Sequence, residues 1–345
     1  MIQKEGSADK MVTIKEVAKD AGVVISTVSN VLNGQQNISE EIRIRVLASS
    51  KKLKYKPNLN AKLLRSGTNK IIGVFLASLQ GEFYASFIQS IQKRCSDAGY
   101  ILQIFIIADN NQQETMNIMT AFGLSGAIVF DEFVTNDMIK RLAYTNIPMV
   151  LCDRTYADFL VSSITIDNYG ISCMIMEHLI ENGHKSIGYI QGTDAYDNRL
   201  RYQAYEDTMK KYELEIQEEL ILKGEYNGMI AHDLVCQLME EHKKFPDAFY
   251  CANDQMAIGC IGALKKYGVE VPKDMSIIGF DNDSAAQYYQ PKLSTVSVPS
   301  VELGIRSVEE VLRLIALEKI EMGLEVVLTA QFIERDSVQL REVLE

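Results

Sequence analysis

The chain has 345 residues, of which 47% are apolar, and this length and composition suit a globular protein of two or three domains. No apolar run approaches the roughly 20 residues that a membrane-spanning helix needs, and the polar first ten residues exclude a signal peptide. A formal net charge of −11 argues at first sight against nucleic-acid binding.

The charge is unevenly distributed along the chain. Residues 1–70 carry thirteen basic and six acidic residues, a formal charge of +7, and the remainder carries −18. Between Ile42 and Gly81 there are nine basic residues and no acidic one. Because phosphate contacts depend on local charge, this pattern predicts a DNA-binding module joined to a core that does not bind DNA.

The first predicted element is a short helix that Thr13-Ile14-Lys15-Glu16 opens as a capping box. Gly22 supplies a sharp turn to a second helix, which runs through residues 26–32 and turns short polar side chains outward. A third helix follows over residues 39–53, with Glu40 and Glu41 at its positive end. Two short helices at a tight turn are typical of a helix-turn-helix module that reads the major groove.

Pro57 ends this module, so the predicted domains are a lead-in (1–10), a DNA-binding head (11–57) and a linker (58–68). The linker contains a short amphipathic stretch, Asn58 to Arg65, which is too short to be a stable helix alone in water. Its leucines fit either a conditional helix or ordinary linker packing.

From residue 69 to residue 345, apolar strands alternate with amphipathic helices. The predicted strands are 71–79, 100–107, 127–130, 149–152, 186–190, 248–251 and 276–280. The predicted helices are 84–97, 112–122, 169–182, 200–211, 230–241 and 255–266. Apolar strands separated by helices indicate parallel sheets covered on both faces, here as two doubly wound lobes.

Ligands of such folds bind beyond the carboxyl ends of the strands. The residues at these ends are aromatic or polar, a combination that suits a polyhydroxylated ligand. They are Phe83, Tyr84, Asp153, Arg154, Asp167, Asn168, Asn253, Asp254 and Asp281. Core packing remains an alternative for Phe83 and Tyr84, and helix capping for Asp167 and Asn168. No motif of the sequence organises a catalytic centre or a metal site, so an enzyme and a cofactor are not expected. The six cysteines are scattered, which predicts reduced thiols in a cytoplasmic protein.

Several strings carry a resemblance to one family. In the head they are Val12 to Ala18, Ala21-Gly22-Val23, Ser26 to Ser29 and Val31 to Gly34; in the core they include Ile166 to Gly170, Arg199-Leu200-Arg201, Ala252 to Gly259 and Ile277 to Asp281. Together they resemble the lactose-repressor (LacI/GalR) family, whose core is of periplasmic-binding-protein type. Val24 departs from that family's capping serine, Asn30 from a frequent arginine, and Gly81-Glu82 from its Asn-Pro.

The resemblance implies roles for individual residues. Ile25, Ser26 and Asn30 would read bases, and Leu64 of a hinge helix would wedge into the minor groove, with Asn58 and Ala61 supporting it. The complete predicted DNA-binding set is Thr13, Ile25, Ser26, Thr27, Ser29, Asn30, Asn33, Tyr55, Asn58, Ala61 and Leu64. The predicted effector set is Phe83, Tyr84, Asp153, Arg199, Asn253 and Asp281.

The predicted function is therefore that of a cytoplasmic, homodimeric repressor of carbohydrate-utilisation genes. It would bind near-palindromic double-stranded operator DNA under the control of a sugar or sugar-phosphate effector, with no role at a membrane. Two alternatives remain open: control by a protein corepressor, as in the catabolite-control branch of the family, and a pure sugar-binding protein. The identity of the sugar, the direction of its effect and the operator sequence are not encoded in any motif.

Overall fold

The computed structural model describes residues 12–32, 34–35, 37–55, 70–107, 112–131, 133–152, 154–241, 245–319 and 321–341. These residues divide into two compact units, one before residue 70 and one from Lys70 onward. The predicted hinge segment, including Asn58, Ala61 and Leu64, lies outside the described residues, as do Asn33 and Asp153.

The first unit contains three helices: α1 (Ile14–Ala21), α2 (Ile25–Leu32) and α3 (Glu40–Lys52). The predicted capping box opens α1, where the Thr13 backbone N–H donates to Glu16 Oε2 at 2.7 Å. Gly22 ends the helix in the left-handed region at φ 66°, which glycine adopts at little cost. The three helices enclose a small core of buried aliphatic side chains: Val17, Ala18, Ala21, Val28, Val31 and Val46.

The second unit is an α/β structure. Its helices are α4 (Glu82–Asp97), α5 (Gln112–Ala121), α6 (Asn136–Ala143), α7 (Asn168–Glu181), α8 (Tyr196–Lys211), α9 (Gly228–Glu241), α10 (Asp254–Lys266), α11 (Ser284–Tyr288) and α12 (Ser300–Ile315). Its strands are β1 (Ile71–Leu76), β2 (Ile101–Ile106), β3 (Gly126–Phe130), β4 (Met149–Leu151), β5 (Val161–Ile166), β6 (Ile187–Gln191), β7 (Ile221–Lys223), β8 (Ala248–Cys251), β9 (Ser276–Ile278), β10 (Thr295–Ser297), β11 (Glu325–Leu328) and β12 (Gln331–Ile333).

These strands form two parallel sheets and one antiparallel pair. The N-terminal lobe holds a six-stranded sheet in the order β11-β5-β4-β3-β1-β2, and the C-terminal lobe holds a four-stranded sheet in the order β7-β6-β8-β9. β10 and β12 pair antiparallel. The predicted fold class, a helical head with two doubly wound parallel-sheet lobes, is confirmed.

The chain passes between the lobes three times. The passages follow β5 at Asp167, follow β10 near Pro299, and join β11 to β12 near Thr329. The first and third touch, because the Asp167 backbone N–H donates to the carbonyl of Leu328 at 3.1 Å. Each lobe is therefore built from segments that are distant in the sequence.

The sequence patterns missed several elements. No strand was predicted at β5, whose buried serines Ser162 and Ser163 hide its apolar character, and nothing was predicted after residue 280. The omitted helix α12 packs its apolar face against α4 and three strands of the N-terminal lobe. The predicted strand over 71–79 ends at Leu76, because the following residues line a cavity instead.

The tight contact between α12 and α4 predicts opposite effects for two Gly→Ala substitutions. A Cβ atom at Gly304 would lie 2.0 Å from Ser90 Oγ and 2.8 Å from the Phe87 carbonyl oxygen. Because backbone must move, we expect Gly304→Ala to lower the free energy of unfolding by about 1–3 kcal/mol.

Gly262 in α10 is the matched control, since its nearest neighbour would be His232 at 3.7 Å. There the added methyl makes an ordinary van der Waals contact inside a helix, and we expect Gly262→Ala to raise the free energy of unfolding by up to about 1 kcal/mol. Thermal unfolding of both variants beside the parent protein measures the two signs. Equal shifts would contradict the described packing.

Candidate functional site

The first candidate surface is the exposed face of α2 in the head. Val24, just before the helix, is 66% exposed and Ile25, its first residue, is 37% exposed, with Ser26 exposed beside them. Ser29 and Asn30 are half-buried further along the helix. Two apolar groups and a hydroxyl at the start of a second helix can contact base edges, including the methyl group of thymine.

Val24 replaces the expected capping serine without delaying the helix. Its carbonyl accepts hydrogen bonds from the backbone N–H groups of Thr27 at 3.0 Å and Val28 at 3.3 Å. The helix therefore starts at Ile25, without a side-chain hydroxyl at the position before it.

Two further predicted DNA-binding residues have structural roles in the head. Thr13 is exposed, and its hydroxyl donates to Glu16 Oε2 at 2.9 Å. Tyr55 is half-buried against the head core, and its backbone N–H donates to the carbonyl of Ser50 at 2.8 Å. Thr27 is also half-buried.

The second candidate site is a cavity between the two lobes of the core, with a volume of about 520 Å³. It lies where strands of both sheets end, as the rule for parallel sheets requires. Side chains from both lobes and from the passages between them line it. The residues that carry its chemistry are Phe83, Tyr84, Phe130, Asp131, Asp167, Asn168, Thr193, Asp197, Arg201, Tyr226, Asn253, Asp281 and Asp283.

Aromatic rings form the wall of the N-terminal lobe. Phe83 and Tyr84 pack against Phe130 with centroid distances of 5.5 and 5.7 Å, and Phe83 stacks on the buried ring of Phe87 at 6.0 Å. Both predicted residues therefore line the cavity and also contribute to packing. Ligand contact and core packing, the two interpretations left open for these residues, are therefore compatible with each other.

The predicted effector arginine, Arg199, does not line this cavity, whereas Arg201, two residues further along the chain, does. Arg199 lies outside this cavity, with a side chain 52% exposed, and donates to the carbonyl of Asp194 at 2.6 Å. It lines a wider outer cavity with Arg154. Arg201, at 5% exposure, lies on the wall of the inner cavity instead. The structure therefore does not bring Arg199 together with Asn253 and Asp281.

Arg201 is held on every side. Its Nε donates to Asn168 Oδ1 at 3.0 Å, its Nη1 donates to the Ala252 carbonyl at 2.6 Å, and its Nη2 lies 3.3 Å from Asp197 Oδ2. The guanidinium also lies over the ring of Phe280, 3.6 Å from the centroid. These contacts compensate the burial of the charge and fix the strand ends around the cavity.

Asn253 and Asp167, both on the cavity wall, also cap helices. Asn253 Oδ1 accepts from the Met256 backbone N–H at 2.9 Å, and its amide group donates to the Tyr226 carbonyl at 3.3 Å. Asp167 Oδ1 accepts from the Gly170 backbone N–H at 2.8 Å. Capping thus fixes the positions of two polar groups that face a ligand space.

Asp281 follows β9 with φ 108°, a backbone conformation that residues other than glycine rarely adopt. Its carboxylate lines the cavity without accepting a hydrogen bond from any residue that the structure describes. Burial raises the pKa of Asp281 to about 8, although Arg201 partly opposes this effect. At neutral pH the group is therefore available in both its protonated and its charged form.

Glu82 joins the lobes at the rim of the cavity. Its carboxylate accepts from the backbone N–H of Ser284 at 2.8 Å and also from the Ser284 hydroxyl. Glu82 stands at the start of α4 and Ser284 at the start of α11, so the contact crosses from one lobe to the other. The departure of Gly81-Glu82 from the family pattern thus contributes a contact between the lobes.

Sequence reasoning missed seven of these cavity residues, namely Phe130, Asp131, Thr193, Asp197, Arg201, Tyr226 and Asp283. Asp197 and Arg201 are four residues apart, a spacing that places them on one face of a helix and could have identified them. Tyr226 and Asp283 lie in loops after β7 and β9, where the sequence carries no periodic signal. Among the described residues, no three His, Cys, Asp or Glu side chains form a metal-binding group, and no described helix is long and apolar enough to cross a membrane.

Two family models match the chain. Residues 13–58 match bacterial regulatory proteins of the lacI family, and residues 176–338 match a periplasmic binding protein-like domain. The HTH-type transcriptional repressor PurR of Actinobacillus pleuropneumoniae serotype 3 (strain JL03) is 31% identical over 314 residues, which are 90% of this chain and 93% of that protein. This chain belongs to the lacI family.

Two solved structures share the fold of this chain over nearly its whole length. The Lac repressor dimer bound to operator and the anti-inducer ONPF matches with a TM-score of 0.70 at 26% identity, over 96% of this chain and 100% of that chain. The transcriptional regulator CelR in complex with cellobiose matches with a TM-score of 0.69 at 22% identity, over 94% and 99%. The chain is thus a lacI-family helix-turn-helix transcriptional repressor with a periplasmic binding protein-like core.

The contacts of the two arginines predict different costs of removal. Arg201→Met leaves Oδ1 of the buried Asn168 and the carbonyl of Ala252 without this donor and removes the cation that pairs with Asp197, and we expect it to lower the free energy of unfolding by roughly 3–5 kcal/mol. Arg199→Met removes a solvent-exposed pair, which contributes less than about 1 kcal/mol. Denaturant unfolding of the full-length variants measures the loss of stability in each. Similar losses for the two variants would contradict the placement of Arg201 in the wall of the inner cavity.

Proposed function

We propose that this lacI-family repressor binds near-palindromic operator DNA as a homodimer and that a small polar effector in the inter-lobe cavity changes its DNA affinity. The observation that carries this proposal is the cavity of about 520 Å³, which both lobes line in a chain that also bears a helix-turn-helix head. Such a repressor acts where the chromosome is, in the bacterial cytoplasm.

The lining of the cavity supports a compact ligand with many polar groups. Thr193, Asn253 and Asp281 offer hydroxyl, amide and carboxylate groups, while Phe83 and Tyr226 offer apolar ring surfaces. A sugar-like molecule presents hydroxyl groups at its edge and C–H groups on its faces, and it matches both kinds of surface. Genes for carbohydrate use are the corresponding targets.

Allosteric control requires that the effector bind two arrangements of the core unequally. The cavity walls belong to different lobes, so a ligand that contacts both walls favours the arrangement in which they lie together. The contact of Glu82 with Ser284 stabilises that same arrangement at the rim. Differences of about 1–3 kcal/mol between the two arrangements are typical of such coupling.

An exposed apolar edge supports the homodimer. β2 is an edge strand of the six-stranded sheet, and Ile101, Ile104 and Ile106 are exposed on it, Ile101 to 64%. An uncovered edge strand with exposed isoleucines is prone to aggregation, and a second copy of the chain would cover it. Two heads can then read the two halves of a near-palindromic site.

The apolar start of α2 predicts recognition of a thymine methyl group. We expect an operator selected from a random palindromic library to contain a thymine opposite Ile25. Replacing that thymine by deoxyuracil removes one methyl, worth about 0.8 kcal/mol or roughly a fourfold loss of affinity.

The variant Ile25→Ser should bind the thymine and deoxyuracil operators equally, as measured by fluorescence anisotropy at fixed salt. Ile44→Ser, at an exposed isoleucine on α3, is the control and should keep the fourfold difference. If both variants retain the difference, Ile25 does not contact the methyl group.

The effector is tested by thermal unfolding of the full-length protein with pentoses, hexoses, amino sugars, sugar phosphates, disaccharides and nucleobases. A ligand at 100 times its dissociation constant should stabilise the folded protein by about 2.7 kcal/mol. The same ligand should change operator affinity by about 5- to 150-fold in anisotropy titrations. A ligand that stabilises the protein but leaves operator binding unchanged would contradict the allosteric proposal, and no stabilising ligand would turn attention to a protein corepressor.

A further inference from the structure

Two carboxylates of the inner cavity have no hydrogen-bond donor. Asp281 and Asp283 both line the cavity after β9, and no described N–H or O–H group donates to either side chain. Asp283 is only 8% exposed, and although it precedes α11, its carboxylate does not cap that helix. Asp281 is half-buried, and a carboxylate as buried as Asp283 normally accepts several hydrogen bonds, so its lack of a described donor is unusual.

The basic groups near Asp281 and Asp283 do not compensate for the missing hydrogen-bond donors. Among the described residues that line the inner cavity, Arg201 is the one basic residue, and Asp197 at 3.3 Å already pairs with it. Burial and then the charge of Glu82 raise the pKa of Asp283 to about 6, and burial raises that of Asp281 to about 8. The nearby Asp254 is fully buried and adds a further acidic group.

A neutral ligand would supply hydrogen bonds but no charge to this pair. An ammonium group supplies three N–H donors and a positive charge, and each of its hydrogen bonds to a carboxylate is stronger than a neutral one. The rings of Tyr84 and Tyr226, which line the same cavity from the two lobes, are also favourable neighbours for a cation. A phosphate group on the ligand would instead meet uncompensated negative charge.

We propose that the effector carries a positively charged amino group that binds at Asp281 and Asp283, so that the ligand class is an amino sugar or a similar small polar amine. This inference rests on the proposed function of the cavity as the effector site. It specifies the charge of the effector and does not specify its ring size or stereochemistry.

The test compares matched ligands that differ only in charge. Glucosamine, galactosamine and mannosamine are each titrated into the full-length protein by calorimetry, beside the parent sugar and the N-acetylated sugar. Acyclic amines such as ethanolamine and putrescine are measured beside ethylene glycol and butanediol. We expect at least one amine to bind about tenfold or more tightly than both neutral counterparts, a difference of about 1.4 kcal/mol.

Variants locate the preference on the proposed carboxylates. Asp283→Asn keeps the size of the side chain and should reduce the preference for the amine to less than about threefold, while Asp97→Asn, at the exposed far end of α4, should leave it unchanged. Without ligand, Asp283→Asn should also raise the unfolding temperature at pH 8, because an uncompensated buried charge is removed.

The outcomes separate this inference from the broader function. Binding of a neutral sugar as tight as that of its amine overturns the charge proposal and leaves the effector cavity intact. Failure of every amine to bind also overturns it, whether or not a neutral compound from the broader panel binds. If Asp283→Asn keeps the full preference, the amine is bound elsewhere and the assignment to this pair is wrong.

Discussion

All three nitrogen atoms of the Arg201 guanidinium are used within the C-terminal lobe, and each contact ends on a different element. Asn168 begins α7, Ala252 follows β8, and Asp197 lies in the first turn of α8. A buried guanidinium stays charged in proteins, so it tolerates burial only when such partners surround it. The need to satisfy this one charge therefore fixes the spacing of three strand-helix junctions, and these junctions form much of the C-terminal lobe's wall of the cavity.

The head illustrates what sequence can reveal at short range. The Thr13 capping box and Gly22 act within one helical turn, and both appear in the structure as the sequence predicts. The location of the ligand space also follows from the sequence, because parallel strands direct their ends to one edge. Phe83, Tyr84, Asn253 and Asp281 were found in this way, and all four line the cavity.

The choice between Arg199 and Arg201 needed more than a motif. The predicted helix begins at residue 200, whereas α8 begins at Tyr196, so the sequence pattern leaves Arg199 and Asp197 outside the helix and hides the face that Asp197 shares with Arg201. On the longer helix, Arg201 and Tyr205 are four residues apart and share the buried face, and the half-buried Asp197 lies one turn before them. Arg199 lies about 200° around the axis from Arg201, toward solvent. Asp283 was missed for another reason: it lies in the loop after β9, where no periodic pattern of the sequence indicates a buried position.

The three passages between the lobes have a consequence for synthesis of the protein. Because α12 and β11 complete the N-terminal lobe, that lobe lacks a covering helix and its outer strand until the ribosome has passed residue 328. The C-terminal lobe similarly waits for β12, which pairs with β10. The head, in contrast, is contiguous over its three helices and can fold as soon as it emerges. A nascent chain of this repressor can therefore carry a folded head on two unfinished lobes for most of its translation, and the apolar faces of β3 and β4 that α12 later covers stay open to solvent during that interval.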